Sequence, residues 1–413
     1  MCREDALFTS PTDRERIMTS FGIIASSSIR SRFAAPLCGA VLALGCGNGA
    51  SDPSGAASPS HAGRGPTESN QMSDGQPSDA LSAETKQSRV VGYLPTYRFA
   101  ANPPLHLETL THLNLAFASP DSDGKVVFAN TDSKDIQQIV LQAHAAKVKV
   151  LVALGGGGKG GKDTTDALDM PANTVVSSLL ELVEHYDLDG VDVDIEGENI
   201  HPKTYGPLMQ TLSKQLAPKH KLLTAAVAED HKSNYRVLGA ADFLNIMSYD
   251  QCGGWSPRAC EHSTLAQAQV DLENWSSVQD VDADGVLRTI GANNVVLGVP
   301  FYGRCWGEKC PGRVPKGDGT YEKTVDLSYA GILAYCAGGT FSGCSQSTDV
   351  LKSGDEFTGY YVSLNSPATI KRKTEKAMAY GGIMIWELGQ DDSSASLFAE
   401  IANAYPKSTR DTE

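Results

Sequence analysis

From residue 89 onward the chain repeats one unit eight times: a short apolar run followed by a longer amphipathic or polar stretch. The runs are Arg89–Tyr93, Thr111–Phe117, Lys149–Leu154, Gly190–Glu196, Leu222–Val227, Phe243–Tyr249, Val295–Phe301 and Gly382–Trp386. Near-continuous apolar runs of this length suit strands covered on both faces, and stretches such as Asn173–Tyr186 and Pro367–Tyr380 space their apolar residues as helices do. Parallel neighbours need a crossover, which is usually a helix. Eight such units predict an α/β chain over residues 89–413, a (β/α)8 TIM barrel with its chemistry at the carboxyl ends of the strands. One connection breaks the rhythm. The stretch from about 304 to 359, between the seventh and eighth runs, is rich in glycine and holds Cys305, Cys310, Cys336 and Cys344, so an inserted subdomain or long loop is expected there.

What precedes residue 89 cannot belong to such a barrel. Residues 47–88 are almost free of large apolar side chains and dense in Gly, Ser, Pro and Asp. Too little surface can be buried to offset the entropy of ordering, which predicts a flexible tether. Before it, Arg30-Ser31-Arg32 leads into the apolar run FAAPLCGAVLALG and then Cys46, the layout of an export segment over residues 1–46. The ending Ala43-Leu44-Gly45-Cys46 resembles a bacterial lipoprotein box, which would make Cys46 the lipidated residue; ordinary secretory cleavage nearby is the alternative. Residues 1–29 are long for a charged leader, and Met18 is a second candidate start.

Export to an oxidising compartment lets thiols pair. Cys252 and Cys260, Cys305 and Cys310, and Cys336 and Cys344 form three close-spaced couples, and neighbour pairing within each is the expectation, against free buried thiols. No spacing reads as a metal site. The net charge of -14, without a basic cluster, excludes nucleic acid as a natural partner and leaves an uncharged or cationic polymer. No cofactor is expected, a membrane only through the lipid anchor, and a monomer as the assembly state.

The chemistry concentrates in Asp189–Glu196, DGVDVDIE. Side chains alternate along a strand, so Asp192, Asp194 and Glu196 share one face and Val191, Val193 and Ile195 the other. The apolar face suits the helices, leaving three carboxyls in a row toward the barrel interior. Burying like charges is too costly for a purely structural role, and a solvated charged face would require an edge strand. Mutual repulsion should hold a proton in the row and raise at least one pKa, as a general acid requires. Glu196, nearest the mouth, is best placed to deliver it. Two competing readings are weaker. The glycine-rich run 156–163 nearly spells a P-loop, but Asp163 stands at the magnesium-ligand position and would repel phosphate. Asp192-Val193-Asp194 also fits the metal-binding DxD of a glycosyltransferase, which an export segment and a barrel pattern do not suit.

The same run resembles the DGxDxDxE signature of family-18 glycoside hydrolases, which include chitinases and some endo-β-N-acetylglucosaminidases. The likeness extends from Val90 to Ala404. VVGYLPTYR resembles the family's first strand, with Tyr93 at a sugar-binding position, and Asn114-Leu115-Ala116-Phe117 is similar to its NYAF. Asn245–Asp250 matches an MxYD element through Met247, Tyr249 and Asp250, and GVPFYGR, with Tyr302 and Arg304, resembles GLPFYGR. Trp386 falls where the family has the floor of its central subsite. The resemblance implies a retaining, substrate-assisted hydrolysis of β-1,4-linked N-acetylglucosamine in chitin or its oligosaccharides. Glu196 would be acid and base, Asp194 would orient the acetamido group, Asp192 would share its proton, and Tyr249 would hold the acetamido oxygen. Tyr93, Phe117, Met247, Asp250, Tyr302, Arg304 and Trp386 would contact sugar. An endo-β-N-acetylglucosaminidase acting on N-glycan cores and a non-catalytic chitin-binding lectin remain as alternatives, although such lectins generally lack the terminal acid. Two positions depart from the pattern. Ala153-Leu154-Gly155-Gly156 replaces the family's SxGG, losing a hydroxyl, and Ile195 precedes the acid where many chitinases have Trp.

Overall fold

A computed structural model describes residues 88–405, apart from 102, 122, 124, 158–170, 198–199, 314–319 and 321. The export segment with Cys46, the tether up to residue 87 and most of the glycine-rich run 156–163 lie outside the described residues.

Eight parallel strands close into a barrel. They are β1 Arg89–Pro95, β2 His112–Pro120, β3 Lys149–Gly155, β4 Gly190–Asp194, β5 Leu222–Val227, β6 Phe243–Ile246, β7 Val295–Pro300 and β8 Gly382–Trp386. Each pairs with its neighbour in sequence, and β1 closes the ring against both β8, through Arg89↔Gly382, and β2, through Val91↔His112. Two ladders are shorter than the apolar runs suggest. β4 stops at Asp194 and β6 at Ile246, so Glu196, Tyr249 and Asp250 stand beyond the strands, where the backbone is free to turn across the mouth.

Helices include α1 Thr96–Phe99, α2 Ser133–Ala145, α3 Ala172–His185, α4 Pro202–Leu216, α5 Leu265–Ser276, α6 Tyr329–Ala337, α7 Pro367–Ala377 and α8 Ser396–Ala404. Capping residues begin several of them: Asp132 accepts from the Lys134 amide, Thr264 from Gln267, and Ser366 from Thr369. The outward strand residues Val90, Leu113, Leu115, Val150, Val152, Val191 and Val193, with Ile195 just past β4, pack on helix residues such as Ile139, Leu179 and Leu212 in one core. Each such aliphatic side chain, fully buried, contributes ~1.5–3 kcal/mol. A smaller core fills the barrel with Val91, Tyr93, Ala116, Ala153, Phe243, Val296 and Met384.

Between β7 and β8 the insertion forms a four-stranded antiparallel sheet in the order Thr324–Ser328, Tyr302–Trp306, Tyr360–Ser363, Val350–Ser353, with α6 beside it. The three neighbour couples are disulfides: Cys252–Cys260, Cys305–Cys310 and Cys336–Cys344. Among the described residues no helix is long and apolar enough to cross a membrane, and no cluster of three His, Cys, Asp or Glu side chains could hold a metal ion.

Candidate active site

The alternation of β4 turns Asp192 and Asp194 into the barrel, where they are 0% and 2% exposed. Three donors from three other strands converge on Asp192. Tyr93 of β1 donates its hydroxyl to Oδ2 at 2.6 Å, Thr224 of β5 donates to Oδ1 at 2.5 Å, and Asn245 of β6 donates to Oδ1 at 3.1 Å. Burial pushes the Asp192 pKa up, and these bonds to its charged form pull the other way. Asp194 has no such support: its Oδ1 is buried without a hydrogen-bond partner. Burial first, then the charges of Glu196 and Asp192, lift its pKa well above the carboxylate range. Glu196 at the mouth rises to about 7, through burial and then the charge of Asp250, while a hydrogen bond from the Gly157 amide acts against the rise. Repulsion within the row therefore contributes at Asp194, whereas the charges that raise Glu196 are those of Asp250 and Asp230 outside it, and loss of water leads at both.

Glycines let β3 come this close. Gly155 has φ +123°, and a Cβ there would lie 2.0 Å from the Asp194 carbonyl oxygen. Gly156, at φ +94°, donates its amide to that oxygen at 2.6 Å, and its own Cβ would strike the Phe117 ring at 2.5 Å. Ala153 pairs in register with Asp192 and brings no hydroxyl. The hydroxyls that reach Asp192 come instead from Thr224, across the other edge of β4, and from Tyr93 of β1.

Aromatic rings line the interior side of the mouth. Trp386 lies 5.6 Å from Tyr93 and 5.6 Å from Phe117, nearly parallel to the latter at 22°. Phe117 reaches this position because the β2–β3 ladder slips between Ala116 and Ala118. Met247 and Tyr249 pack on the same interior cluster, and the Tyr249 hydroxyl is 4.0 Å from Met384 Sδ. Asp250, in the left-handed region at φ 59°, turns its carboxylate to the insertion. Tyr302 donates to its Oδ1 at 2.5 Å, Arg304 Nη2 lies 3.1 Å away and His262 Nδ1 3.4 Å away. Burial would raise the Asp250 pKa, but Arg304 and the hydrogen-bonding neighbours hold it below the carboxylate range.

Arg304, expected among the sugar contacts, has protein partners for its guanidinium. It donates to Asp326 at 2.7 and 3.1 Å and to the Cys252 carbonyl at 3.0 Å, and it lies 5.1 Å from the Trp255 ring centre. Several residues of this region were missed. Thr224 and His262 carry no pattern that marks them, and Trp255, 57% exposed, sits inside the Cys252–Cys260 loop. Glu387, fully buried behind Trp386, pairs with Arg98 at 2.8 Å. A separate polar cavity of about 640 Å³, lined by Glu308, Cys310, Arg313 and Thr320, lies in the insertion and is lined by none of the carboxylate row.

The sequence model of the glycosyl hydrolases family 18 matches residues 89–391. The chain belongs to family 18 of the glycosyl hydrolases. Among family-18 relatives, Chitinase 63 of Streptomyces plicatus is 27% identical over 292 residues, covering 63% of this chain and 46% of that protein. The chain spans about half the length of such curated relatives. Among solved structures, the GH18 chitinase ChiB of Flavobacterium johnsoniae aligns at 30% identity with a TM-score of 0.62, covering 78% of this chain and 94% of that one. A chitinase from Bacteroides thetaiotaomicron aligns at 25% identity with a TM-score of 0.60, covering 78% and 97%. Within this family-18 fold, Ile195 before the acid is fully buried on the helix side of β4.

Proposed function

We propose that this chain hydrolyses β-1,4-linked N-acetylglucosamine polymers of the chitin class, with retention and with the substrate's acetamido group as nucleophile. The observation that carries the reading is the graded row along β4 and just past its end: a hydrogen-bonded Asp192, an Asp194 whose Oδ1 is buried without a partner and, at the mouth, Glu196 with its pKa at about 7. A carboxylic acid that keeps its proton near neutral pH is what departure of a sugar alkoxide requires. Glu196 protonates the glycosidic oxygen as the acetamido carbonyl oxygen attacks the anomeric carbon from the opposite face. The C–O bond to the leaving sugar breaks, and a bicyclic oxazolinium ion forms. Asp194 faces the acetamido N–H and offsets the positive charge, while the Tyr249 hydroxyl holds the attacking oxygen in line. Glu196, now ionised, takes a proton from water as that water opens the ring and restores the original anomeric configuration. Asp192 stays beneath Asp194 as the alternative proton holder, and Trp386 offers its apolar face to the sugar. Phe117 and Met247 fill the wall beside it, and Tyr302 and Arg304 act through Asp250.

The export segment and the three disulfides support a place outside the reducing cytoplasm, tethered through Cys46. Product analysis tests the function: chitin oligosaccharides and a high-mannose glycopeptide are offered in parallel, with proton NMR of the first-formed anomer. Cleavage of the former to β-anomers is expected, with Glu196→Gln slower by ~100- to 10,000-fold, the usual contribution of a general acid. Cleavage of the glycopeptide alone would favour an N-glycan enzyme, and sugar binding without cleavage a lectin.

A further inference from the structure

Lys373 of α7 is fully buried, which lysine rarely is without a carboxylate partner. Its ammonium instead meets three neutral oxygens: the Ser263 hydroxyl at 2.6 Å, the Ser263 carbonyl at 2.9 Å and Asn365 Oδ1 at 2.8 Å. Three donors have three acceptors. Burial pushes this ammonium down to about 7 against the pull of Asp349, Asp271 and Glu261, so the arrangement is costly for the fold. Side chains of similar length without charge, such as methionine, would fill the same volume at less cost.

The network runs from Lys373 toward the mouth. Ser263 is itself buried and donates a hydrogen bond to the Ser248 carbonyl at 2.7 Å, while the Ser248 hydroxyl donates to Asp271 at 2.5 Å. Asn365 donates to the Ser263 carbonyl at 2.8 Å, and the neighbouring His262 amide donates to Ser363 of the insertion at 3.0 Å. Ser248 lies between Met247 and Tyr249, past the end of the β6 ladder; the Met247 amide still donates to Val227 of β5 and the Ser248 amide to the Ile246 carbonyl, both at 2.9 Å, while the Ser248 carbonyl accepts from Ser263. The Ser263 bond therefore adds a side-chain hold on the carbonyl that joins Ser248 to Tyr249. A hydroxyl that must meet a substrate oxygen tolerates little displacement, and an error of ~1 Å can lower a rate about 100-fold.

We propose that Lys373 is a positioning residue that, through Ser263 and the Ser248 carbonyl, sets the place of the Tyr249 hydroxyl. The inference rests on the hydrolase reading above. Its ammonium locks Ser263 into the rotamer that donates to Ser248, and α7 thereby anchors a segment of the mouth it does not touch. A purely structural lysine would stabilise the barrel without this directional effect.

The test is a double-mutant cycle on the full chain with chitin oligosaccharide as substrate. Lys373→Met and Tyr249→Phe are made singly and together, with Ser263→Ala as a smaller perturbation of the same relay should Lys373→Met fail to fold. Expected are a fall in kcat of ~10- to 100-fold with KM changed less, and non-additivity with Tyr249→Phe beyond about twofold. Additive effects within about twofold, or a lowered melting temperature with unchanged kcat, overturn the proposal. Wild-type protein that cuts no oligosaccharide refutes the hydrolase reading instead. The same cycle is then read in oligosaccharide affinity by calorimetry, where additivity overturns the positioning role and coupling upholds it.

Discussion

Replacing Thr224 by valine removes one hydroxyl from the floor of the carboxylate row and almost no volume. Thr224 is fully buried, and without its 2.5 Å bond Asp192 Oδ1 keeps only the Asn245 amide at 3.1 Å. A hydrogen bond is worth ~0.5–1.5 kcal/mol to a neutral acceptor and ~1.5–3 kcal/mol to a charged one. Burial raises the Asp192 pKa above its ordinary value, with the Thr224 bond among the effects that restrain the rise. A carboxyl raised in the fold costs stability as pH climbs through its folded-state pKa, and loss of the hydroxyl steepens that cost. Below the ordinary carboxyl range Asp192 is protonated in folded and unfolded chains alike, and the variant loses only the neutral bond. Above the folded-state pKa it loses the charged one. The deficit in unfolding free energy is therefore expected to be larger at pH 8 than at pH 4 by ~1–1.5 kcal/mol. Reversible denaturant unfolding of wild type and Thr224→Val at the two pH values measures it. Equal deficits, or a larger one at pH 4, would refute the assignment of Thr224 as a donor to an ionised Asp192.

Two further perturbations separate the electrostatics of the mouth from its scaffolding. Because burial and then Asp250 raise the Glu196 pKa to about 7, activity should fall as pH rises through that value, and Asp250→Asn should move this limb of kcat/KM to lower pH. An unmoved limb would show that Asp250 acts by contact alone. Removing the Cys252–Cys260 bridge with paired alanines frees a loop closed over 8 residues, which the chain-entropy relation values at roughly 2.5 kcal/mol. The loop carries Trp255 and the carbonyl that accepts from Arg304, so KM should rise together with the loss in melting temperature. A stable variant with unchanged KM would detach that loop from substrate.

Features governed by near neighbours in the chain were legible from the residues alone. A period of two puts Asp192 and Asp194 on one side of β4 whatever surrounds it, and apolar runs eight times repeated leave few folds other than a closed barrel. Short loops favour neighbour disulfides for the same local reason. What each carboxyl meets was decided elsewhere. Tyr93, Thr224 and Asn245 lie 99, 32 and 53 positions from Asp192 along the chain, and only closure of the barrel brings them to one carboxylate. Arg304 and Lys373 look alike in sequence as basic residues of the last third of the chain, yet one is held by Asp326 and Asp250 and the other by neutral oxygens in the core. Alternation assigns a side chain to a face, but its partners and its loss of water follow from how strands and insertion stack in space, and those are what make Asp194 and Glu196 differ from ordinary acids.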